Sequence, residues 1–212
     1  VRSEEIDVEC YYPKKKPKDK PDVTGDPHFK IWGGERYDYQ GECDLVLLQN
    51  PLFNNGMGMN INIRTKLQGT EGSYIDSAVV QIGSDVLEVQ ADYTTRVRQL
   101  WLNGQYKPTG TLHGKTLSGY PIMYDKEKHN LLVRRRHVYT IQISETEKIV
   151  IKSFKHLLNV HFTNTTQENF KGSLGLLGSF DSHSMIGRDG KTVIHNENEF
   201  GEEWQGKTTE TM

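Results

Sequence analysis

The chain has 212 residues, and 26 lysines and arginines against 28 aspartates and glutamates give a net charge of −2. This balance argues against a nucleic-acid binder that works through bulk positive charge. No stretch approaches the roughly 18 to 20 apolar residues of a membrane span. Many glycines and tyrosines, with short Val/Ile/Leu runs, favour a β-rich domain over a disordered chain, and two cysteines are too few for a disulfide-stapled scaffold.

Residues 1–24 are predicted to form a flexible basic arm. The segment Lys14–Pro21 holds five lysines, two prolines and no apolar residue. Burial therefore cannot offset the entropy of ordering it. A solvated linker is the simpler interpretation, and a polyanion-binding arm is the alternative. Residues 206–212 form a second polar segment, predicted to be a C-terminal tail.

Between these segments, apolar residues alternate with a period of two, which is typical of half-buried β-strands. The clearest alternations are Met59-Ile61-Ile63, Tyr139-Ile141-Ile143, Ile149-Ile151 and Leu158-Val160-Phe162. Leu45–Leu48 is continuously apolar, which indicates a central strand covered on both faces. Turn signals such as Asn103-Gly104 separate the segments, and no window has the period of a long amphipathic helix. We predict an all-β, antiparallel β-sandwich over residues 25–205.

Arg134, Arg135 and Arg136 form the sharpest charge cluster of the chain. Strand alternation places Arg134 and Arg136 on one face and Arg135 on the other. These cations could bind a polyanion such as a sulfated glycan, which would make the chain a carbohydrate-binding module. Protection of a strand edge is the simpler interpretation. Four aromatic residues could add a glycan platform, although core or cross-strand packing explains them more simply: Tyr93, Trp101, Tyr106 and Tyr120.

The histidines do not indicate an active site. His156 and His161 lie five residues apart in a strand-like segment, so they face opposite sides and cannot bind one ion. His183 follows Ser182 and Asp181, but neighbours in sequence do not make a catalytic triad. We therefore predict that the chain is not an enzyme.

Two motifs bracket the predicted sandwich. Gly25–Phe29 reads GDPHF, and an aromatic-rich segment after it ends in Gly41–Cys43, GEC, before an apolar strand. Gly175–Asp181 reads GLLGSFD, and Phe200–Trp204 reads FGEEW. In this order and separation the motifs resemble the von Willebrand factor type D (VWD) domain family, which opens with GDPH and closes with GLCGNF.

The resemblance implies an extracellular β-sandwich that serves cell adhesion, gel formation or the extracellular matrix and is not an enzyme. Such modules usually belong to larger multidomain proteins. The partner expected here is an extracellular protein or polysaccharide, contacted through loops and strand edges.

The resemblance also implies one structural calcium ion, held between the turn after the GDPH strand and the loop after the closing motif. Gly33 stands where the first carboxylate is expected, and Ser179 replaces an asparagine in the second loop. Asp181 and Asp189 remain. Because calcium takes about six to eight oxygens, only a weak site is expected unless a carboxylate of the first turn contributes. The alternative is a plain polar loop.

In the family, the cysteine of GEC commonly pairs with the cysteine of GLCG, but Leu177 occupies that second position here. The resemblance therefore leaves Cys43 without its usual partner, and apolar packing of Leu177 is expected instead. A disulfide between Cys10 and Cys43 would stabilise the fold by about 3–4 kcal/mol through loop entropy. Two free thiols are the alternative.

Some relatives cleave their GDPH motif. The carboxyl of Asp26 can attack its own carbonyl carbon with the nitrogen of Pro27 as the leaving group, and water or another nucleophile then opens the anhydride. A self-processing domain cleaved at Asp26–Pro27 is therefore an alternative function. The simpler role is structural, because proline fixes an extended conformation from which His28 and Phe29 begin the first strand.

Asn164-Thr165-Thr166 is the one N-x-S/T sequon of the chain. In a secreted glycoprotein, which the resemblance implies, Asn164 would carry a glycan on a surface loop. Because the motif is only three residues long, it is weak evidence for glycosylation and mainly predicts that Asn164 lies at the surface.

Overall fold

The computed structural model describes residues 21–24, 27–68, 72–91, 98–108, 111–129, 134–154 and 157–206. Within these ranges the chain forms fourteen β-strands and three short helices. The strands build two antiparallel sheets whose apolar faces share one buried core. The predicted all-β sandwich is therefore confirmed.

The larger sheet joins the first three described strands of the chain to the last five. Its strands are, in spatial order, β10 (Thr116–Leu117), β11 (Tyr120–His129), β12 (Arg134–Gln142), β13 (Lys148–Phe154), β14 (Leu157–Thr163), β1 (Asp22–Thr24), β2 (His28–Lys30) and β3 (Arg36–Asp38). Strand β1 pairs with β14, and Val23 lies opposite Val160. Asp22–Thr24, predicted as part of the arm, therefore belongs to the sandwich, and GDPH opens the second strand of the fold instead of the first.

The smaller sheet is a run of sequential hairpins. Its strands are β4 (Asp44–Asn50), β5 (Met59–Gln68), β6 (Gly72–Ile82), β7 (Asp85–Ala91), β8 (Arg98–Leu102) and β9 (Gln105–Tyr106). The predicted hairpin turn joins β8 to β9, and Asn103 and Gly104 have φ of 53° and 72°. Positive φ at both central residues is the geometry that two-residue hairpin loops require.

The helices are short: α1 (Phe53–Gly56), α2 (Gln167–Phe170) and α3 (Glu197–Glu203). The side chain of Asn196 caps α3 by accepting the N–H groups of Asn198 and Glu199. Helix α1 is irregular, because Asn54 and Asn55 have left-handed φ of 44° and 58°. No helix among the described residues has the length and apolar character needed to cross a membrane.

The alternation of apolar residues sets the buried face of each strand. Met59, Ile61 and Ile63 are at most 2% exposed, while Asn60 and Asn62 between them are half-buried. This inward face packs on the equivalent face of the larger sheet. At about 25 cal/mol per Å² of buried apolar surface, such packing is the main stabilising contribution to a sandwich.

Strand β4 lies at the edge of its sheet, so the prediction of a central strand for Leu45–Leu48 is wrong. The burial of this run is nevertheless as expected. The reason is that later segments bond to the open edge of β4: Leu174 pairs with Gln49, and Gln205 pairs with Leu45. The chain itself therefore closes this edge.

Candidate functional site

The opening and closing motifs meet in one junction against β4. The N–H of Leu176 donates to the carbonyl of Val46 at 3.1 Å. From the opening segment, the N–H of Trp32 donates to the carbonyl of Leu177 at 3.1 Å, and the hydroxyl of Tyr37 donates to the carbonyl of Leu176 at 2.7 Å. The two sequence motifs are thus parts of one packed unit.

At two glycines of the closing motifs, another part of the chain comes too close to leave room for a side chain. Gly175 has φ of 143°, and a Cβ there would lie 2.4 Å from the carbonyl oxygen of Leu47. A Cβ on Gly201 would lie 2.1 Å from the ring of Tyr39. Both distances are far below van der Waals contact. The glycines of GLLG and FGEEW therefore let the closing segments reach the sandwich.

The tryptophan of FGEEW anchors the end of α3. Trp204 is fully buried, and its indole N–H donates to the carbonyl of Ile186 at 3.1 Å. The guanidinium of Arg188 lies 5.0 Å from the Trp204 ring centre, a cation–π distance, and its Nε donates to the carbonyl of Glu203 at 2.6 Å. Arg188 therefore holds the C-terminal segment in place through these two contacts. The sequence did not indicate this role.

The carboxylates of the predicted calcium loop bond to the loop itself. Asp189 accepts the N–H groups of Lys191 and Thr192, each at 2.9 Å, and the hydroxyl of Thr192 at 2.6 Å. These hydrogen bonds lower the pKa of Asp189 to about 2. Asp181 accepts the N–H of Gly172 at 3.0 Å. Both side chains close turns.

The residues of this region do not fit the calcium ion of the family. A Cβ on Gly33 would lie 2.7 Å from the carbonyl oxygen of His183, so backbone lies where a first-turn side chain would begin. The hydroxyl of Ser179 accepts the N–H of Ser182 at 3.2 Å. Over the described ranges, no three His, Cys, Asp or Glu side chains are grouped closely enough to hold a metal ion.

Cys43 is half-buried and free within the described residues. Its Sγ lies 3.8 Å from the hydroxyl of Thr65, and burial raises the pKa of the thiol. Leu177 is fully buried, as expected for apolar packing, and its N–H donates to Leu47, four residues after Cys43. Cys10 lies outside the described residues, so the Cys10–Cys43 bridge stays a prediction.

Asp26 also lies outside the described residues, so cleavage at Asp26–Pro27 stays a prediction. Pro27 is buried. After it, the exposed side chain of His28 contacts Asp38 on β3, with 2.5 Å between Nδ1 and Oδ1. Phe29 is 1% exposed and stacks on Tyr37 with ring centres 5.0 Å apart, which supports the structural role of the GDPH segment.

The arginine cluster begins β12, where only Arg136 has a described side chain. This guanidinium is half-buried and lies 6.0 Å from the ring centre of Phe154. Arg136 pairs with Glu127 of β11, whereas the described pairing with β13 starts one residue later, at His137. Strand β12 lies between β11 and β13 in the larger sheet, so it is not an edge strand and the sheet order does not support edge protection by the cluster. Polyanion binding by Arg134, Arg135 and Arg136 stays a prediction.

Asn164 is exposed at the end of β14, where its φ is 52°. Its side-chain amide donates to the carbonyl of Thr146 at 3.3 Å. The hydroxyl of Thr166, the third sequon residue, donates at 2.7 Å to Glu147, which is only 2% exposed. The surface position is as expected, and glycosylation of Asn164 stays a prediction.

The three described residues of the predicted aromatic platform do not all lie together. Tyr120 packs towards the core against Phe53, with ring centres 5.4 Å apart. Trp101 and Tyr106 meet edge to face at 6.2 Å on the outer face of the smaller sheet, and Tyr106 is 55% exposed. Tyr93 lies outside the described residues.

A groove on that outer face was not predicted from the sequence. Asn62, Arg64, Ser77 and Glu88 are among its lining residues. Arg64 makes two hydrogen bonds to Asp44, at 2.6 and 2.9 Å. Burial raises the pKa of Glu88. In an alternating strand such polar residues are expected to face solvent, and only the strand register shows that they converge.

The fold and its motif junction define a β-sandwich in which the later segments close the edge of β4. The family model described as the von Willebrand factor type D domain matches residues 22–185, which is more than half of the chain. The chain therefore belongs to the VWD domain family. Domains of this family are interaction modules of extracellular, multidomain proteins, and the family is not one of enzymes.

Proposed function

We propose that the chain is a non-enzymatic adhesive or structural module of a secreted, multidomain protein, and that it presents rigid loops to an extracellular partner. Membership of the VWD family supports the extracellular interaction role. The described strand edges are poor contact surfaces. The edge of β4 is covered, and the edge strands β3, β9 and β10 are two or three residues long. Loops are therefore the more suitable surface for a protein partner.

The proposal rests on one observation, which is the exposure of two apolar side chains on the loop around α1. Leu52 and Met57 are 66% and 41% exposed on either side of the left-handed turn at Asn54 and Asn55. Between them Phe53 is 1% exposed and packs into the core. Asparagine adopts the left-handed conformation more readily than most residues other than glycine, so Asn54 and Asn55 suit this tight turn. An anchored turn thus presents two apolar side chains to solvent.

The proposal is tested by binding of the full chain to cell-derived, decellularised extracellular matrix. The double variant Leu52→Asp, Met57→Asp places charge on the loop without removing a buried side chain. Val193→Asp is the matched control, because Val193 is 49% exposed elsewhere on the surface. We expect saturable binding that the double variant weakens at least about tenfold, a loss of about 1.4 kcal/mol, and that the control retains. Equal binding by all three proteins, or no saturable binding, would contradict the proposal.

A further inference from the structure

The outer face of the smaller sheet carries a groove about four strands wide. Across it, Asn62 of β5 lies opposite Val79 of β6, Val79 opposite Glu88 of β7, and Glu88 opposite Trp101 of β8. Neighbouring strands are about 4.8 Å apart, so Asn62 and Glu88 are separated by about 10 Å with Val79 between them. The groove therefore has polar sides and an aliphatic floor, and Trp101 lies on the next strand beyond Glu88.

Three polar side chains of the groove are available for a ligand. Asn62, Ser77 and Glu88 line it, and none of their side chains makes a hydrogen bond within the described part of the chain. Ser77 is only 5% exposed, and Asn62 and Glu88 are half-buried. Partly desolvated polar groups without partners gain more from a ligand that bonds to them than fully hydrated groups do.

The charges of the groove disfavour an anionic ligand. The guanidinium of Arg64 is engaged by both carboxylate oxygens of Asp44. Glu88 adds a second carboxylate nearby, and the buried Asp76 is bonded to Lys66 at 3.0 Å and to Gln90. Among the described side chains of the groove, a sulfate or phosphate would find no unengaged cation and would face the carboxylate of Glu88.

The side chains suit a ligand with both hydroxyl groups and apolar C–H surface. Hydroxyls donate to the carboxylate of Glu88 and both donate to and accept from Asn62 and Ser77. Val79 and the half-buried ring of Trp101 offer apolar surface beside these groups. An added peptide strand would instead need the backbone of a sheet edge, which a sheet face does not offer.

We propose that this groove binds an uncharged, hydroxyl-rich glycan, with one sugar ring over Val79, its hydroxyls bonded to Asn62, Ser77 and Glu88, and the glycan continuing towards Trp101. The site lies on the opposite sheet from the arginine cluster and selects against the sulfated glycans that such a cluster would take. The groove would give the interaction module proposed above a second class of partner. The role of this site in the organism rests on that proposed function.

The experiment is binding of the full chain to an array that holds neutral, sialylated and sulfated oligosaccharides, followed by titration calorimetry with the strongest neutral binder. Asn62→Ala removes one hydrogen-bonding side chain of the groove, and Glu88→Ala removes another. Thr140→Ala, on the outer face of β12, is the control, and thermal unfolding verifies that all variants are folded. Each groove variant is expected to weaken binding three- to tenfold, while the control leaves it unchanged.

Binding only to sulfated oligosaccharides, no binding to any glycan, or neutral binding unaffected by both groove variants would overturn the inference. These outcomes leave the loop proposal intact, because matrix binding through Leu52 and Met57 is measured separately. Conversely, neutral-glycan binding that is lost in the groove variants supports the site even if the loop variant binds matrix normally.

Discussion

At the scale of single residues, the packing of the closing segment depends on the absence of one side-chain carbon. Gly201 lies inside α3, where alanine ordinarily favours the helix by up to about 1 kcal/mol over glycine. The ring of Tyr39 fills the space where the Cβ of that alanine would be placed. Intrinsic helix propensity therefore predicts that Gly201→Ala stabilises the fold, whereas tertiary packing predicts that it destabilises the fold.

We expect Gly201→Ala to destabilise the fold by about 1–3 kcal/mol, because the Tyr39 ring has to move out of a packed position. The measurement is the free energy of unfolding from urea denaturation. Gly72→Ala is the control, since Gly72 has negative φ and nothing within 4 Å of its Cβ position. A stabilising Gly201→Ala would show that helix propensity outweighs this contact.

Asp189 gives a prediction for acid conditions. Hydrogen bonds lower its pKa from the model-compound value of 3.8 to about 2, so the folded state favours the ionised form. Its contribution to stability is therefore complete above pH 3.8 and is lost as the pH falls through 2. We expect the carboxyl carbon resonance of Asp189 to titrate with a midpoint near 2, and a midpoint near 3.8 would contradict the hydrogen-bonded turn.

At the scale of elements, a buried carboxylate joins the β12–β13 turn to α2. Glu147 accepts the N–H and the hydroxyl of Thr166, at 2.8 and 2.7 Å, and also the side-chain amide of Asn169. Three donors from the segment after β14 thus converge on one side chain. A side chain satisfies all three donors only if both of its terminal atoms accept hydrogen bonds, as the two oxygens of a carboxylate do.

We expect Glu147→Gln to destabilise the fold by about 1–3 kcal/mol, because its amide nitrogen would face an N–H or O–H donor and leave one buried group without a partner. Urea denaturation measures the change. Glu145→Gln, the same substitution at an exposed position of the same turn, should leave stability within about 0.5 kcal/mol. Equal effects at both positions would contradict the buried anchor.

The strands themselves were predictable, whereas the position of β4 was not. A run such as Leu45–Leu48 shows that both faces of a strand are covered, but it carries no information about the neighbouring strands. The cover of β4 comes from Leu174–Leu177 and Trp204–Gly206, far along the chain. Long-range pairing of this kind is fixed by tertiary structure, which residue periodicity does not encode.

At the scale of the molecule, the motifs predicted the fold better than the sites. The order of GDPHF, GLLGSFD and FGEEW indicated one sandwich, and the described segment that follows GDPHF does pack against the closing motifs. Asp181 and Asp189, the expected metal ligands, accept hydrogen bonds within their own turns, and metal binding by them stays a prediction. A sequence shows which carboxylates are present but not which backbone N–H groups they accept. The groove at Glu88 was missed for a related reason, since it depends on the register of four strands.

We expect the stability of the whole sandwich to be independent of calcium. An ion present at 100 times its dissociation constant would add about 2.7 kcal/mol, which raises the Tm of a domain of this size by about 5–11 °C. Thermal unfolding in millimolar calcium and in EDTA should therefore give the same Tm. A Tm that rises with calcium concentration would show that the loop after the closing motif binds the ion.

The covered edge of β4 has a consequence for biosynthesis. The ribosome delivers β4 early and its covering segments near the end, at about 5–20 residues per second, so a nascent chain exposes this apolar edge for many seconds. Exposed edges recruit other strands. Stop codons between Thr163 and Leu174 should therefore yield products that depend on chaperones and aggregate, even though they retain all the described strands of both sheets.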